Sequence, residues 1–182
     1  MNSLAGHLLL ALPALDDPNF RQTVTLMIEH NEESAMGLVL NRPSGTTLSE
    51  AWSHVAESPC PLHAVLHVGG PCEGPLMVLH SDAHHSDRPV TDSIHFSVAE
   101  TSLNSIVAEP PMHARFFVGY AGWGPGQLEN ELRHGAWLAT PATPELAFDE
   151  SDTLWRKLIA EAYEQLSPKW RPPIMPDDPS LN

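Results

Sequence analysis

Three histidines fall within six positions in His80-Ser81-Asp82-Ala83-His84-His85, and Asp82 and Asp87 add carboxylates beside them. Imidazole and carboxylate are the donors that hold zinc and related borderline cations. The segment reads as a polar loop, without the helical register that would bring His80 and His84 onto one face, so a solvated loop is expected and no metal is assigned. Glu29 and His30 are adjacent at a strand end and read as a hydrogen-bonded structural pair, because no nucleophile accompanies them. Cys60 and Cys72 are the only thiols. They lack paired spacing and lie beside prolines, which argues against a disulfide or a zinc site, and Glu73 next to Cys72 disfavours a thiolate.

Gly122-Trp123-Gly124-Pro125-Gly126 follows an apolar run and opens a helix, which imitates a dinucleotide-binding turn. Its glycine spacing is wrong for that use, Trp123 fills the first gap, and Glu129 and Glu131 oppose a phosphate at the helix start. No cofactor is therefore expected. Such a density of glycines around one indole instead specifies a shaped turn with Trp123 as its buried anchor. No nucleophile elbow, phosphate-binding loop, zinc-protease helix or cysteine finger occurs, so the commonest enzyme signatures are missing.

The elements that position these residues follow from periodicity and punctuation. Leu8 to Leu12 reads as a buried strand, and Thr23 to His30 alternates Val24, Leu26 and Ile28 against Thr23, Thr25 and Glu29, giving one core face. A polar turn, Asn31 to Ser34, joins it to a strand at Met36 to Leu40, which Asn41-Arg42-Pro43-Ser44-Gly45 ends. Thr47 and Glu50 fit a capping box opening a helix to about Ala56, and Ser97 and Glu100 fit a second opening a helix toward Ala108. Further strands are expected at Ala64 to Val68, Leu76 to His80, Ser93 to Val98 and Ala114 to Tyr120. Gln127 to His134 reads as a helix closed by Gly135, followed by an extended Trp137-Leu138. A final helix, Ser151 to Leu166, sets Leu154, Leu158, Ile159, Ala162 and Leu166 on one stripe. Ser167 to Asn182 holds five of the 18 prolines and reads as an extended or disordered tail, with Trp170, Ile174 and Met175 as apolar beads able to dock in a groove.

At 182 residues the chain is of single-domain size, and the domain is set at residues 1–166 with the tail at 167–182. No apolar run approaches the roughly 18 residues of a membrane helix, and Leu8 to Leu12 lacks the basic flank of a signal peptide. A cytoplasmic location and no membrane partner are expected. Nine Lys and Arg against 23 Asp and Glu give a net charge of −14, and the few cations are scattered, so direct nucleic-acid binding is not expected.

The ordered set Gly6-His7-Leu8-Leu9-Leu10-Ala11-Leu12-Pro13, Asp16-Asp17-Pro18-Asn19-Phe20, Glu29-His30, Asn41-Arg42-Pro43, Gly69-Gly70-Pro71, Val78-Leu79-His80 and Gly119 to Glu131 resembles the YqgE/AlgH family of bacterial proteins. The likeness runs nearly end to end, to Trp155. It implies an α+β fold, a bent mixed sheet forming a pseudo-barrel flanked by about four helices, in a small cytoplasmic protein. Some members are named as transcriptional regulators, and the likeness supplies no catalytic residues. It marks Asn41, Arg42, Gly69, Gly70, His80, Gly122, Trp123, Gly124, Gln127 and Glu129 as candidate ligand or structural positions, with Asn41, Trp123 and Gln127 as walls of any small-molecule pocket. The expectation is a binding or regulatory protein with a small-molecule or protein partner, no recognisable catalytic machinery and an indirect effect on transcription. The alternatives are an enzyme, hydrolase or redox, with a pocket near the Gly-Trp-Gly junction, and a DNA-binding regulator.

Overall fold

The computed structural model describes residues 3–54 and 59–166, so the expected proline-rich tail and the end of the helix expected to reach Ala56 lie outside the described residues. Ten strands and five α-helices follow in chain order: β1 (His7–Ala11), β2 (Val24–His30), β3 (Ala35–Val39), β4 (Pro43–Thr47), α1 (Leu48–Trp52), β5 (Val65–Val68), β6 (Cys72–His80), β7 (Arg88–Pro89), β8 (His95–Ser97), α2 (Glu100–Ala108), β9 (Ala114–Trp123), α3 (Gln127–Arg133), β10 (Trp137–Pro141), α4 (Pro144–Ala147) and α5 (Leu154–Leu166). A short 3-10 turn at Ala83–His85 separates β6 from β7. The strands form one curled, mixed sheet in the order β10-β1-β2-β3-β9-β6-β8-β7, with β4 on β5 and β5 on β9. All pairings are antiparallel except β5 with β9. The protein is an α+β fold, with five α-helices among the described residues where about four were expected.

The sheet is apolar on both faces, which overturns the expectation of one core face on β2. Val24, Leu26 and Ile28 do share one cluster, but Met27 belongs to another, and Thr23 and Thr25 are fully buried. The same alternation separates Leu8 and Leu10 from Leu9, Met77 and Leu79 from Val78, and Phe117 from Phe116. Successive side chains of a strand point to opposite faces, so one face faces α4 and α5 while the other is covered by α1 and α2 at one end and α3 at the other.

β9 holds the two halves together. Residues 116–118 pair with β5, and residues 121–123 pair with β3 along the same edge, while β6 runs along the other. The hand-over occurs at Gly119, whose φ is +70°. Gly69 packs against the Gly119 carbonyl and Gly70 against the Tyr120 backbone so closely that a side-chain carbon at either would overlap main chain. Gly69 also donates to the Val118 carbonyl at 2.9 Å and accepts from the Val39 amide at 2.8 Å. Gly69 and Gly70 are thus the point where three strands cross without room for side chains.

Local signals decide most helix starts. Thr47 and Glu50 form the expected capping box. The second box does not form: Ala99 is the N-cap, and Ser97 turns inward to donate to the His85 carbonyl at 2.7 Å. Asp87, from the loop after the 3-10 turn, takes over by accepting from the amides of Val98 and Ala99 and the hydroxyl of Ser102. That carboxylate anchors the chain just ahead of α2, whose N-cap Ala99 supplies no side-chain cap, while the Ser97 hydroxyl is committed elsewhere. β9 also runs three residues past the expected end at Tyr120, so the turn begins at Gly124 and not at the first glycine.

Candidate functional site

The Gly-Trp-Gly junction is filled. Trp123 is 4% exposed and lies against Phe20 with ring centroids 6.0 Å apart, and Trp137 stands edge-on to both. Trp123 Nε1 donates to Glu131 Oε2 at 2.9 Å and Trp137 Nε1 donates to the same oxygen at 2.8 Å. Gln127 accepts from the Gly124 amide and donates to Glu131 Oε1. Gly126, in the left-handed region, forms the N-cap of α3. Gly122 and Gly124 are exposed beside this cluster. Every polar group named here has a partner within the protein.

The histidine-rich loop is likewise committed. His80, at the end of the expected strand, is fully buried on β6, whereas Ala83, His84 and Asp87 of the loop that follows are exposed. Its Nδ1 accepts from the Asp82 amide, and because Ser97 gives its single hydroxyl proton to His85, His80 Nε2 donates to Ser97 Oγ at 3.0 Å. Burial first, then neighbouring His95, pushes the His80 imidazole below the usual histidine range. His85 pairs with Asp82 at 2.6 Å, and His84 is exposed. Among the described residues no three His, Cys, Asp or Glu side chains are placed to hold a metal ion. Cys60 and Cys72 are free thiols.

Glu29 and His30 do not pair with each other, because adjacent strand residues face opposite sides of the sheet. Glu29 accepts from Arg88 at 2.6 Å. His30 Nδ1 accepts from the Leu4 amide, so its Nε2 donates to Glu129 Oε1 at 2.7 Å, joining β2 to the first turn of α3. Sequence adjacency had suggested the wrong couple for both residues.

The open space lies elsewhere. A cavity of about 510 Å³ is bounded by Asn41-Arg42-Pro43 at the start of β4, Val65 and His67 on β5, Arg115 on β9 and residues 149–153 leading into α5 with Trp155 and Arg156. Asn41 lines it, and none of the junction residues, Trp123 and Gln127 included, does. Asn41 also ties the walls together: its Oδ1 accepts from the Val24 amide and its Nδ2 donates to the Gln22 carbonyl. Arg42 donates to the Arg21 carbonyl at 2.6 Å. Trp155 Nε1 donates to the Ala11 carbonyl, fixing α5 against β1.

Arg115, His67 and the 149–153 segment were not singled out from the sequence. Arg115 is 3% exposed and donates to the carbonyls of Leu40, Ala147 and Asp149 and to His67 Nε2 at 3.0 Å. A guanidinium only donates, so His67 is the acceptor through Nε2 and carries its proton on Nδ1. Burial first, then Arg115, pushes the His67 imidazole below its ordinary value. Burial also lowers Arg115 from the usual arginine value, while Glu150 and Asp149 act to raise it. The only signal available was a lone Arg at the second position of an apolar strand, Ala114 to Tyr120, where a charge needs a reason.

A family model described as AlgH-like matches residues 8–167. The chain belongs to the AlgH-like family. A UPF0301 protein of Streptomyces avermitilis is 36% identical, covering 100% of this chain and 97% of its own length. The UPF0301 protein AlgH of Pseudomonas aeruginosa is 40% identical over 80% of this chain and 81% of its own length. The solution structure of the Pseudomonas aeruginosa AlgH protein superposes with a TM-score of 0.75 at 36% identity, covering 93% of this chain and 96% of that one. Protein DIP2367 of Corynebacterium diphtheriae, at 22% identity and a TM-score of 0.70, shares the fold. In this AlgH-like chain, the motif positions Gly69, Gly70, Trp123 and Glu129 lie at strand crossings and helix contacts, whereas Asn41 and Arg42 lie at the cavity.

Proposed function

We propose that this protein is a small-ligand-binding or regulatory protein of the cytoplasm, that the cavity between β4, β5, β9 and the start of α5 is its binding site, and that any effect on transcription is indirect. The observation that carries the reading is a cavity of about 510 Å³, within the roughly 300–1,000 Å³ of small-molecule sites, with buried polar side chains on its walls. A binding role is favoured over a hydrolytic one because His67, the imidazole in its lining, spends its acceptor nitrogen on Arg115 and so has no lone pair to serve as a base. A net charge of −14 speaks against a phosphate backbone as partner.

Native mass spectrometry of the untagged protein, isolated from the cells it comes from, tests this directly. The expected result is a bound small molecule that is lost when the mouth is filled by Val65→Trp, a change at an exposed strand position that a β-strand tolerates. Retention of the same molecule by Val65→Trp, with the fold intact, places the ligand elsewhere and defeats the reading.

A further inference from the structure

Arg115 is buried, yet its partners are three carbonyl oxygens and an imidazole nitrogen. No carboxylate among the described residues lies within ion-pair distance of it, and its Nε has no hydrogen-bond partner. A charge so far from water is ordinarily matched by an opposite one. His67 is also buried, and its Nδ1 has no partner that meets hydrogen-bond geometry, although the Val65 and Phe116 carbonyls lie near enough to act against the lowering of its pKa. Arg42, half-buried beside them, uses one terminal nitrogen on the Arg21 carbonyl and leaves the rest of its fork uncommitted. All three residues line the same cavity, which thus holds two guanidinium charges; Arg115 Nε and His67 Nδ1 are sealed from water behind the wall, so the uncommitted donors of Arg42 are the ones a ligand meets first.

We propose that Arg42, His67 and Arg115 form an oxyanion subsite in this cavity, which takes the carboxylate or phosphoryl end of a small metabolite. The proposal rests on the reading of the cavity as a binding site. Guanidinium forks match both oxyanions in geometry and charge. Three carboxylates are also in the lining: Asp149 is half-buried and, with Glu150, acts on Arg115, while Glu150 and Asp152 are exposed at the mouth, where water screens them more than it screens the buried cations. They disfavour a polyanion and suit a ligand whose outer end carries an amine, so the class is a small zwitterion or singly anionic metabolite.

The test is a nuclear magnetic resonance titration of the full chain at constant ionic strength with four probes: inorganic phosphate, acetate, ethylammonium and glycerol. The expected result is a saturable shift of the Arg42, His67 and Arg115 side-chain signals with phosphate or acetate, the tighter of the two telling a phosphoryl from a carboxylate ligand. Arg42→Gln is expected to weaken that binding about tenfold or more, while Arg88→Gln, at an exposed pair with Glu29, leaves it unchanged. Arg115 is left intact because its guanidinium also holds three carbonyls from two separate segments, Leu40 in one and Ala147 and Asp149 in the other. Shifts at the cavity with glycerol or ethylammonium and with neither oxyanion overturn the subsite while keeping the cavity as a binding site. Silence with all four probes overturns both, and equal weakening by Arg42→Gln and Arg88→Gln reduces the effect to surface charge and overturns the subsite.

Discussion

Glu131 Oε2 accepts two indole protons, from Trp123 and Trp137, and this one carboxylate fixes the angle between the end of β9 and the start of β10. Trp123→Ala removes a buried aromatic and is expected to cost roughly 3 to 5 kcal/mol in urea unfolding. Glu131→Ala leaves both indole N–H groups without an acceptor and is expected to cost about 2 kcal/mol or more. An unchanged unfolding midpoint for Trp123→Ala would remove it as the anchor of the turn. The buried histidines predict a pH dependence. His67 and His80 are both held below the usual histidine value, chiefly by burial, so the unfolded chain takes up protons before the native one does. Stability is therefore full above the unfolded histidine pKa of about 6.5 and is lost as pH falls from there toward the lowered native values. Urea midpoints at neutral and mildly acidic pH check this, and His80→Gln should flatten the slope.

At the scale of elements, β9 hands its edge from β5 to β3 where Gly69, Gly70 and Gly119 meet. Gly70→Ala forces a side-chain carbon onto the Tyr120 backbone, and the main chain cannot yield as a flexible side chain would. The expected loss is about 3 kcal/mol or more, read from thermal unfolding. Asp87→Ala should cost about 1 to 2 kcal/mol by leaving the Val98 and Ala99 amides and the Ser102 hydroxyl without their acceptor. How much of this was legible in sequence depends on how local its cause is. The β2–β3 hairpin, the Thr47 capping box and the Gly135 stop of α3 are set by neighbours in the chain, and each could be read. The second capping box misled because Ser97 had a better partner 12 residues away in His85, a choice no window of four residues contains. β4 was missed because Asn41-Arg42-Pro43-Ser44-Gly45 has turn chemistry, yet Pro43 pairs with His67 on β5 at the sheet's side branch, where its missing amide is tolerated.

For the molecule as a whole, the cavity draws its walls from Gln22, residues 40–43, Val65 and His67, Arg115, and residues 149–153 with Trp155 and Arg156, five stretches that only the curled sheet brings together. That is why its Asn-Arg pair could be read as a candidate while His67 and Arg115 could not. The junction was legible because its residues are consecutive, but legibility and openness differ, and it is closed by its own aromatic rings. Among the described residues no helix is long and apolar enough to cross a membrane. The formal net charge of −14 predicts that a mobility-shift assay with duplex DNA at low salt finds no retarded species. Hydrogen exchange most directly decides between cavity and junction, comparing the protein in buffer with the protein equilibrated against a low-molecular-weight extract of its own cells. Added protection at residues 40–43, 65–68 and 149–156, with 122–131 unchanged, is the predicted result; protection confined to 122–131 would contradict it.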